Sequence, residues 1–216
     1  IRYYLNGILF IAEGKTLTLV ATDGHRVALA QAQLETDVPS KQEVILPRKT
    51  VAELAKLAED GDGDVRIELS PSKIRVTSAR VVLTSKLIDG RFPEYGRVIP
   101  SNANRVIDAD RGILRQSLQR TAILSNEKYR GIRLNIKPNL LTLQAHNPEQ
   151  EEAEDQLEVS YSGEEIEIGF NVTYLLEALS AIDTEHVNFA LTDANSSCLI
   201  TAAEADGAKY VVMPMR

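Results

Sequence analysis

Cysteine is almost missing from this chain: Cys198 is the single one in 216 residues, and an internal disulfide is excluded. Histidine is nearly as scarce. His25, His146 and His186 are widely scattered, and with one thiol they offer no ligand set of recognisable spacing, so no metal and no cofactor is expected. Long apolar runs are absent too. The stretch ILFIA at 8–12 is about a quarter of the ~20 residues that a membrane-spanning helix requires, and no membrane partner is expected. No basic-then-apolar leader opens the chain, which with the cysteine usage points to a cytoplasmic protein. Glycine and proline, 12 and 8 residues, are too few for a fibrous or disordered chain.

What is present is the composition of a globular protein, 44% hydrophobic and 25% charged, in a length that suits one large domain or two ordinary ones. The net charge of −7 hides a division. Residues 1–137 hold 22 Lys/Arg against 16 Asp/Glu, whereas 138–216 hold only Lys209 and Arg216 against 15 acids. At physiological salt, charges more than about 8 Å apart are largely screened from one another. A basic patch can therefore attract polyanions on one part of an acidic protein.

The chain also repeats itself at an offset of 124. Leu17-Thr18-Leu19-Val20-Ala21 falls on Leu141-Thr142-Leu143-Gln144-Ala145, and Gly7 on Gly131. VILPRKTVAELAKLA at 44–58 answers IEIGFNVTYLLEALSAI at 166–182, and RVVLTSK at 80–86 answers YVVMPMR at 210–216. Two copies of one unit are implied.

Within the unit, alternating and β-branched runs such as YYLNGILFIAEG, LTLVAT, HRVALAQA, VRIEL and KIRVTS predict strands. One helix is predicted after Pro47, with Val51, Leu54, Ala55 and Ala58 as its apolar stripe. Its counterpart starts at Asn171, an N-cap residue, with Val172, Leu175, Leu176 and Leu179. A third helix spans 110–125, with Asp110 as its N-cap residue and Leu114, Leu118 and Ala122 on one face. That helix and the strand before it have no equivalent in the first copy, which is expected to be a truncated unit of a longer protein. The segment GRFPEYGRVIPSNANR at 90–105 is the predicted junction.

Catalytic motifs are thin. TDGHR at 22–26 offers Asp23 and His25 to a hydrolase, but Asp-Gly between strand patterns is a turn signal and no Gly-x-Ser-x-Gly accompanies it. DGDGD at 60–64 fails as a calcium loop, because the sixth position is Val65 and the twelfth Pro71. Cys198 reads as a small core hydrophobe. More informative is the 110–125 helix: after its first residue it carries Arg111, Arg115 and Arg120 and no acid. Such cations can track phosphates without reading sequence.

YYLNG, VATDGHR, LPRK, LIDGRFPEY, ILSNEKYRG, NPEQEEAE and YVVMPMR, in that order along the whole chain, resemble the sliding-clamp family, the processivity subunits of bacterial DNA polymerase III. The resemblance implies an α+β fold of repeated clamp domains, with antiparallel sheets outside and helices on one face. It assigns 1–95 to a second clamp domain lacking its first strand and helix, and 96–216 to a complete third. The implied function is that of a homodimeric ring that encloses duplex DNA without sequence specificity and has no enzymatic activity. Partners would be the polymerase III catalytic subunit, the clamp loader, other polymerases and repair proteins, each docking a short linear motif. By matching motif, the peptide groove comprises Leu5, Thr22, Gly24, His25, Arg26, Val27, Pro93, Arg97, Val98, Asn171, Tyr174, Ser197, Val211, Val212, Met213, Pro214, Met215 and Arg216. The DNA-facing residues would be Arg2, Tyr3, Tyr4, Lys49, Arg111 and Arg115, and the subunit interface would include Ile123 and Leu124. Asn195 departs from the more apolar residue expected at its place in the groove. An adaptor that never touches DNA is the rival reading among non-enzymes.

Overall fold

Hydrophobic alternation becomes strand along most of the chain, because side chains of successive strand residues point to opposite faces and only one face is buried. The computed structural model describes residues 2–59 and 63–215, and these form two units, one of residues 1–23 with 29–94, the other of 24–28 with 95–216.

The first unit begins with a 3-10 turn, Tyr3–Leu5, followed by β1 (Gly7–Thr22), β2 (Arg26–Pro47), α1 (Arg48–Glu59), β3 (Arg66–Leu69), β4 (Lys73–Thr77) and β5 (Val82–Lys86). β1 lies beside β2, and β3, β4 and β5 make an antiparallel sheet. Phe10, Ala12, Leu46, Ile74 and Val76 are its buried centre. Three expectations are corrected here. The strand predicted from Tyr3 begins only at Gly7, because Leu5 N–H and Asn6 N–H bond back three residues to the carbonyls of Arg2 and Tyr3, both at 3.0 Å. The break predicted between LFIAEG and LTLVAT falls at Gly14, where φ is +55°, without interrupting the hydrogen-bonded span. The stripe of α1 is shorter than predicted: Val51 and Leu54 pack on the core, Thr50 is buried, and Ala55 and Ala58 are exposed. Among the described residues, the helix side chains packed on this core, Val51 and Leu54, lie in its first two turns.

The second unit contains a 3-10 turn Tyr95–Val98, β6 (Arg105–Asp110), α2 (Arg111–Ala122), β7 (Gly131–Lys137), β8 (Leu140–His146), β9 (Glu152–Glu158), β10 (Ile166–Asn171), α3 (Val172–Ser180), β11 (His186–Leu191), β12 (Cys198–Ala202) and β13 (Ala208–Val212). Two antiparallel ladders, β10-β7-β8-β9 and β6-β11-β12-β13, contribute one face each to a single core with α2 and α3. Leu114, Leu118, Leu134, Leu143, Phe170, Leu175, Leu179 and Ile200 are all less than 2% exposed. Each such side chain contributes roughly 1.5–3 kcal/mol relative to remaining in water. The predicted caps form. The Asp110 carboxylate accepts the Ile113 N–H at 2.8 Å, and the Asn171 side chain accepts the Thr173 N–H at 2.9 Å. The 110–125 helix is therefore Arg111–Ala122 with Asp110 outside it. No helix among the described residues is long and apolar enough to cross a membrane.

Candidate functional site

In the second unit, the chain following β13 changes character. Val211 and Val212 are 1% exposed and belong to the interior, whereas Met213 and Met215 are 36% and 38% exposed. Two backbone hydrogen bonds hold this tail against the surface. Met213 N–H donates to the His25 carbonyl at 3.0 Å, and Met215 N–H donates to the Gly169 carbonyl at 2.8 Å. His25 is thereby set beside the segment that follows β13, 188 residues later in sequence. Gly24 makes the turn with φ at +91°, a conformation that a side chain would strain.

The turn presents two side chains to α3. The His25 ring stacks on Tyr174, with centroids 6.3 Å apart and planes 23° apart. The Arg26 guanidinium lies 4.3 Å from the same ring's centroid and forms an ion pair with Glu177, one turn further along the helix. A cation over an aromatic face is held electrostatically and keeps its polar edge toward water. Asn171, as the cap of α3, fixes the start of the helix that carries Tyr174 and Glu177. Nearby in sequence to the junction, Ser197 Oγ donates to the Val98 carbonyl at 2.6 Å and so ties the Tyr95–Val98 turn to β12's leading loop. Val27 is buried and Arg97 exposed. Asn195 is exposed in a turn in which its N–H bonds the Asp193 carboxylate. Together, His25, Arg26, Tyr174, Met213 and Pro214 form a half-exposed apolar surface with aromatic and cationic edges. Unbranched methionines adapt to varied shapes, which suits an extended peptide rather than a rigid small substrate.

In the first unit, Leu5 and Thr22 are half-buried and Pro93 is exposed. Arg216 lies outside the described residues. Arg2, Tyr3 and Lys49 are exposed, and Tyr4 meets Tyr3 edge-on at 5.7 Å. The arginines of α2 differ from one another. Arg111 is half-buried, its Nε donating to the Thr184 carbonyl at 2.8 Å, so it joins α2 to the loop before β11. Arg120 pairs with Asp155 at 2.6 Å. Partial burial pushes the Asp155 carboxyl up, but hydrogen bonds from Ser117 and Arg120 outweigh it and hold the group below the usual carboxylate range. Arg115 is exposed and has no ion pair among the described residues. Ile123 is 76% exposed at the C-cap of α2, and Leu124 is half-buried.

One group of metal-ligand types stands together among the described residues: Asp110, Glu185 and His186, with ligand atoms within 4.8 Å of one another. Asp110 is already the cap of α2, and His186 Nδ1 is 2.7 Å from the Asp108 carboxylate. Two residues with clear work escaped the sequence reading. Glu177 carried only the signal of a helical position three after Tyr174. Arg130 carried no signal beyond its charge, yet its φ is +51° and its Nη1 donates to the Ala122 carbonyl and Ser125 Oγ at 3.0 and 2.8 Å.

Two family models match the chain: the central domain of the DNA polymerase III beta subunit over residues 1–94, and the C-terminal domain of the same subunit over residues 96–216. The Pseudomonas aeruginosa protein named beta sliding clamp is 53% identical over 218 residues, and that of Escherichia coli K12 is 50% identical over 216. The alignment covers all of this chain and 59% of each relative. A crystal structure of the P. aeruginosa DNA polymerase sliding clamp with ligand superposes with a TM-score of 0.97 at 51% identity, over 100% of this chain and 59% of that one. A second from the same organism, bound to griselimycin, gives 0.96 at 51% identity, over 100% and 58%.

Proposed function

The chain belongs to the DNA polymerase III β-subunit family, and on that premise we propose that it is part of a processivity clamp. In this reading the whole protein is a cytoplasmic homodimer that closes around duplex DNA, and this chain supplies its second domain without the first strand and helix, followed by its third. The clamp catalyses nothing. Enclosure keeps a tethered polymerase at high effective concentration near the primer end, while weak phosphate contacts let the ring slide. Arg2, Lys49 and Arg115 are the cations proposed to face the duplex, and Ile123 with Leu124 to meet the neighbouring subunit. Partners are the polymerase III catalytic subunit, the clamp loader, and further polymerases and repair proteins.

These partners dock a short hydrophobic motif on the surface formed by His25, Arg26, Tyr174, Met213 and Pro214. The observation that carries this is the Met213–His25 hydrogen bond, which holds the exposed methionine tail beside the Arg26–Tyr174 platform. An exposed apolar surface with an arginine and a tyrosine at its edge has the composition of an interaction hot spot. The test is calorimetry with a hydrophobic clamp-binding peptide. Saturable binding that weakens on substitution of Met213 and Pro214 is the expected result. Absence of a saturable signal, or affinity indifferent to both substitutions, overturns the proposal.

A further inference from the structure

On the four-stranded sheet of the second unit, burial alternates along each strand: Ile132 and Leu134 face the core, Gly131 and Arg133 the other way. Two of the outward positions, Gly131 and Gly169, have no side chain. A trough is left there, and Met215 lies across part of it, its Sδ and Cε each 3.6 Å from where a Cβ of residue 131 would be. The remaining depression has a volume of about 440 Å³. This is within the range of pockets that hold one or two large side chains.

Tyr129 lines the depression together with Met215. The residue is 56% exposed, but its backbone is fixed, because the Asn126 side chain accepts both the Lys128 and Tyr129 N–H groups at 2.9 and 3.0 Å. The rim is acidic. Glu152 stands opposite His146 in the ladder, and Glu154 accepts from Gln144 at 2.7 Å. Among the described lining residues, Arg133 is paired with Glu167 at 3.5 Å.

We propose that this trough is a second subsite of the peptide-binding surface, and that it takes residues flanking the docked motif, with one large aliphatic or aromatic side chain between Met215 and Tyr129 and a lysine or arginine at Glu152. Three observations select that occupant. Met215 is shared by the tail and the trough, so an extended chain seated on Met213 and Pro214 continues into it without a break. The floor is backbone at two glycines, which admits a side chain end-on. The acidic rim complements a cation, and contacts of that kind set specificity more than affinity. The inference rests on the docking reading above.

The test compares a short hydrophobic peptide that binds this surface with the same peptide extended, at either end, by four residues including one leucine and one lysine. One extended form should bind about fivefold tighter or better. That gain should vanish on Tyr129→Ala, and should shrink and lose its salt dependence on Glu152→Gln, while the short peptide's affinity stays unchanged in both variants. Equal affinity for short and extended peptides, or a gain surviving both substitutions, overturns the subsite and leaves the docking reading standing. If the short peptide fails to bind, the docking reading falls, and binding of the extended peptides that depends on Tyr129 then decides the trough by itself.

Discussion

Arg130 Nη1 donates to the Ala122 carbonyl at 3.0 Å, joining the residue that leads into β7 to the last turn of α2. The same nitrogen reaches Ser125 Oγ at 2.8 Å, and the Arg130 N–H donates to the Asn126 carbonyl. A helix leaves its last carbonyls without intrahelical partners, and a guanidinium placed here supplies the donors. The cost is a left-handed backbone at a non-glycine residue, φ +51°. Arg130→Ala should therefore destabilise the second unit by roughly 1–3 kcal/mol, the range for stranding buried polar groups. Arg130→Gly relieves the backbone and should cost less than the alanine variant. Urea denaturation of both variants checks the order, and equal midpoints would sink the account.

Arg111 and Arg115 are one turn apart on α2, and charge alone made them equivalent. Burial separates them: Arg111 is bonded to the Thr184 carbonyl, whereas Arg115 is exposed. Arg115→Ala should leave thermal stability within about 0.5 kcal/mol, as surface substitutions do. In the full-length clamp it should weaken DNA retention, and more at low salt than at high. Arg111→Ala should lower the melting temperature. Melting curves and salt-dependent DNA retention measure the two effects separately.

The legible part of this molecule was what short-range physics writes into sequence. Asn171 and Asp110 announced two helix starts because their side chains can accept the orphan N–H groups of a first turn. Gly24 announced the turn, and the 124-residue offset announced two copies of one unit. The proposed docking surface was reached by likeness to a family. From pattern alone, nothing says that Met213 meets His25, since the bond spans the whole repeat. Roles that depend on which neighbour a side chain finds were invisible: Arg111 on a carbonyl, Arg120 on Asp155, Glu177 on Arg26. Val211 and Val212, expected in the groove by matching motif, are both buried, and of the two only Val212 belongs to the core cluster of the second unit, since successive strand residues point to opposite faces. Tyr3–Leu5 was misread as strand because alternation over so few residues does not exclude a 3-10 turn.

A pH dependence follows from the His186–Asp108 pair. The hydrogen bond to the Asp108 carboxylate, helped by the charges of Asp108, Glu185 and Asp110, raises the imidazole above its ordinary 6.5. A raised folded value means that the stabilising contribution is fully present below pH 6.5 and is lost as pH rises through the folded value. Asp108→Asn should bring the His186 titration, followed by NMR, down toward the ordinary value and flatten stability across that window. A titration unmoved by the substitution would show that the pair does not set it.

The repeat supplies its own control for backbone proximity. Gly7 and Gly131 occupy equivalent positions, and both open a strand, yet their surroundings differ. A Cβ on Gly7 would lie 2.1 Å from the Leu46 carbonyl oxygen, a backbone atom that cannot swing aside. A Cβ on Gly131 would meet only the flexible end of Met215, at an ordinary 3.6 Å. Gly7→Ala must therefore push β1 away from Leu46, where the adjoining Arg48 N–H bonds the Asn6 carbonyl at 3.0 Å. Overpacking of this kind costs roughly 1–3 kcal/mol or more. Gly131→Ala should be tolerated within about 0.5 kcal/mol. Differential scanning calorimetry of the two single variants tests the contrast, and a Gly7→Ala protein as stable as Gly131→Ala would mean that the strand can shift without cost.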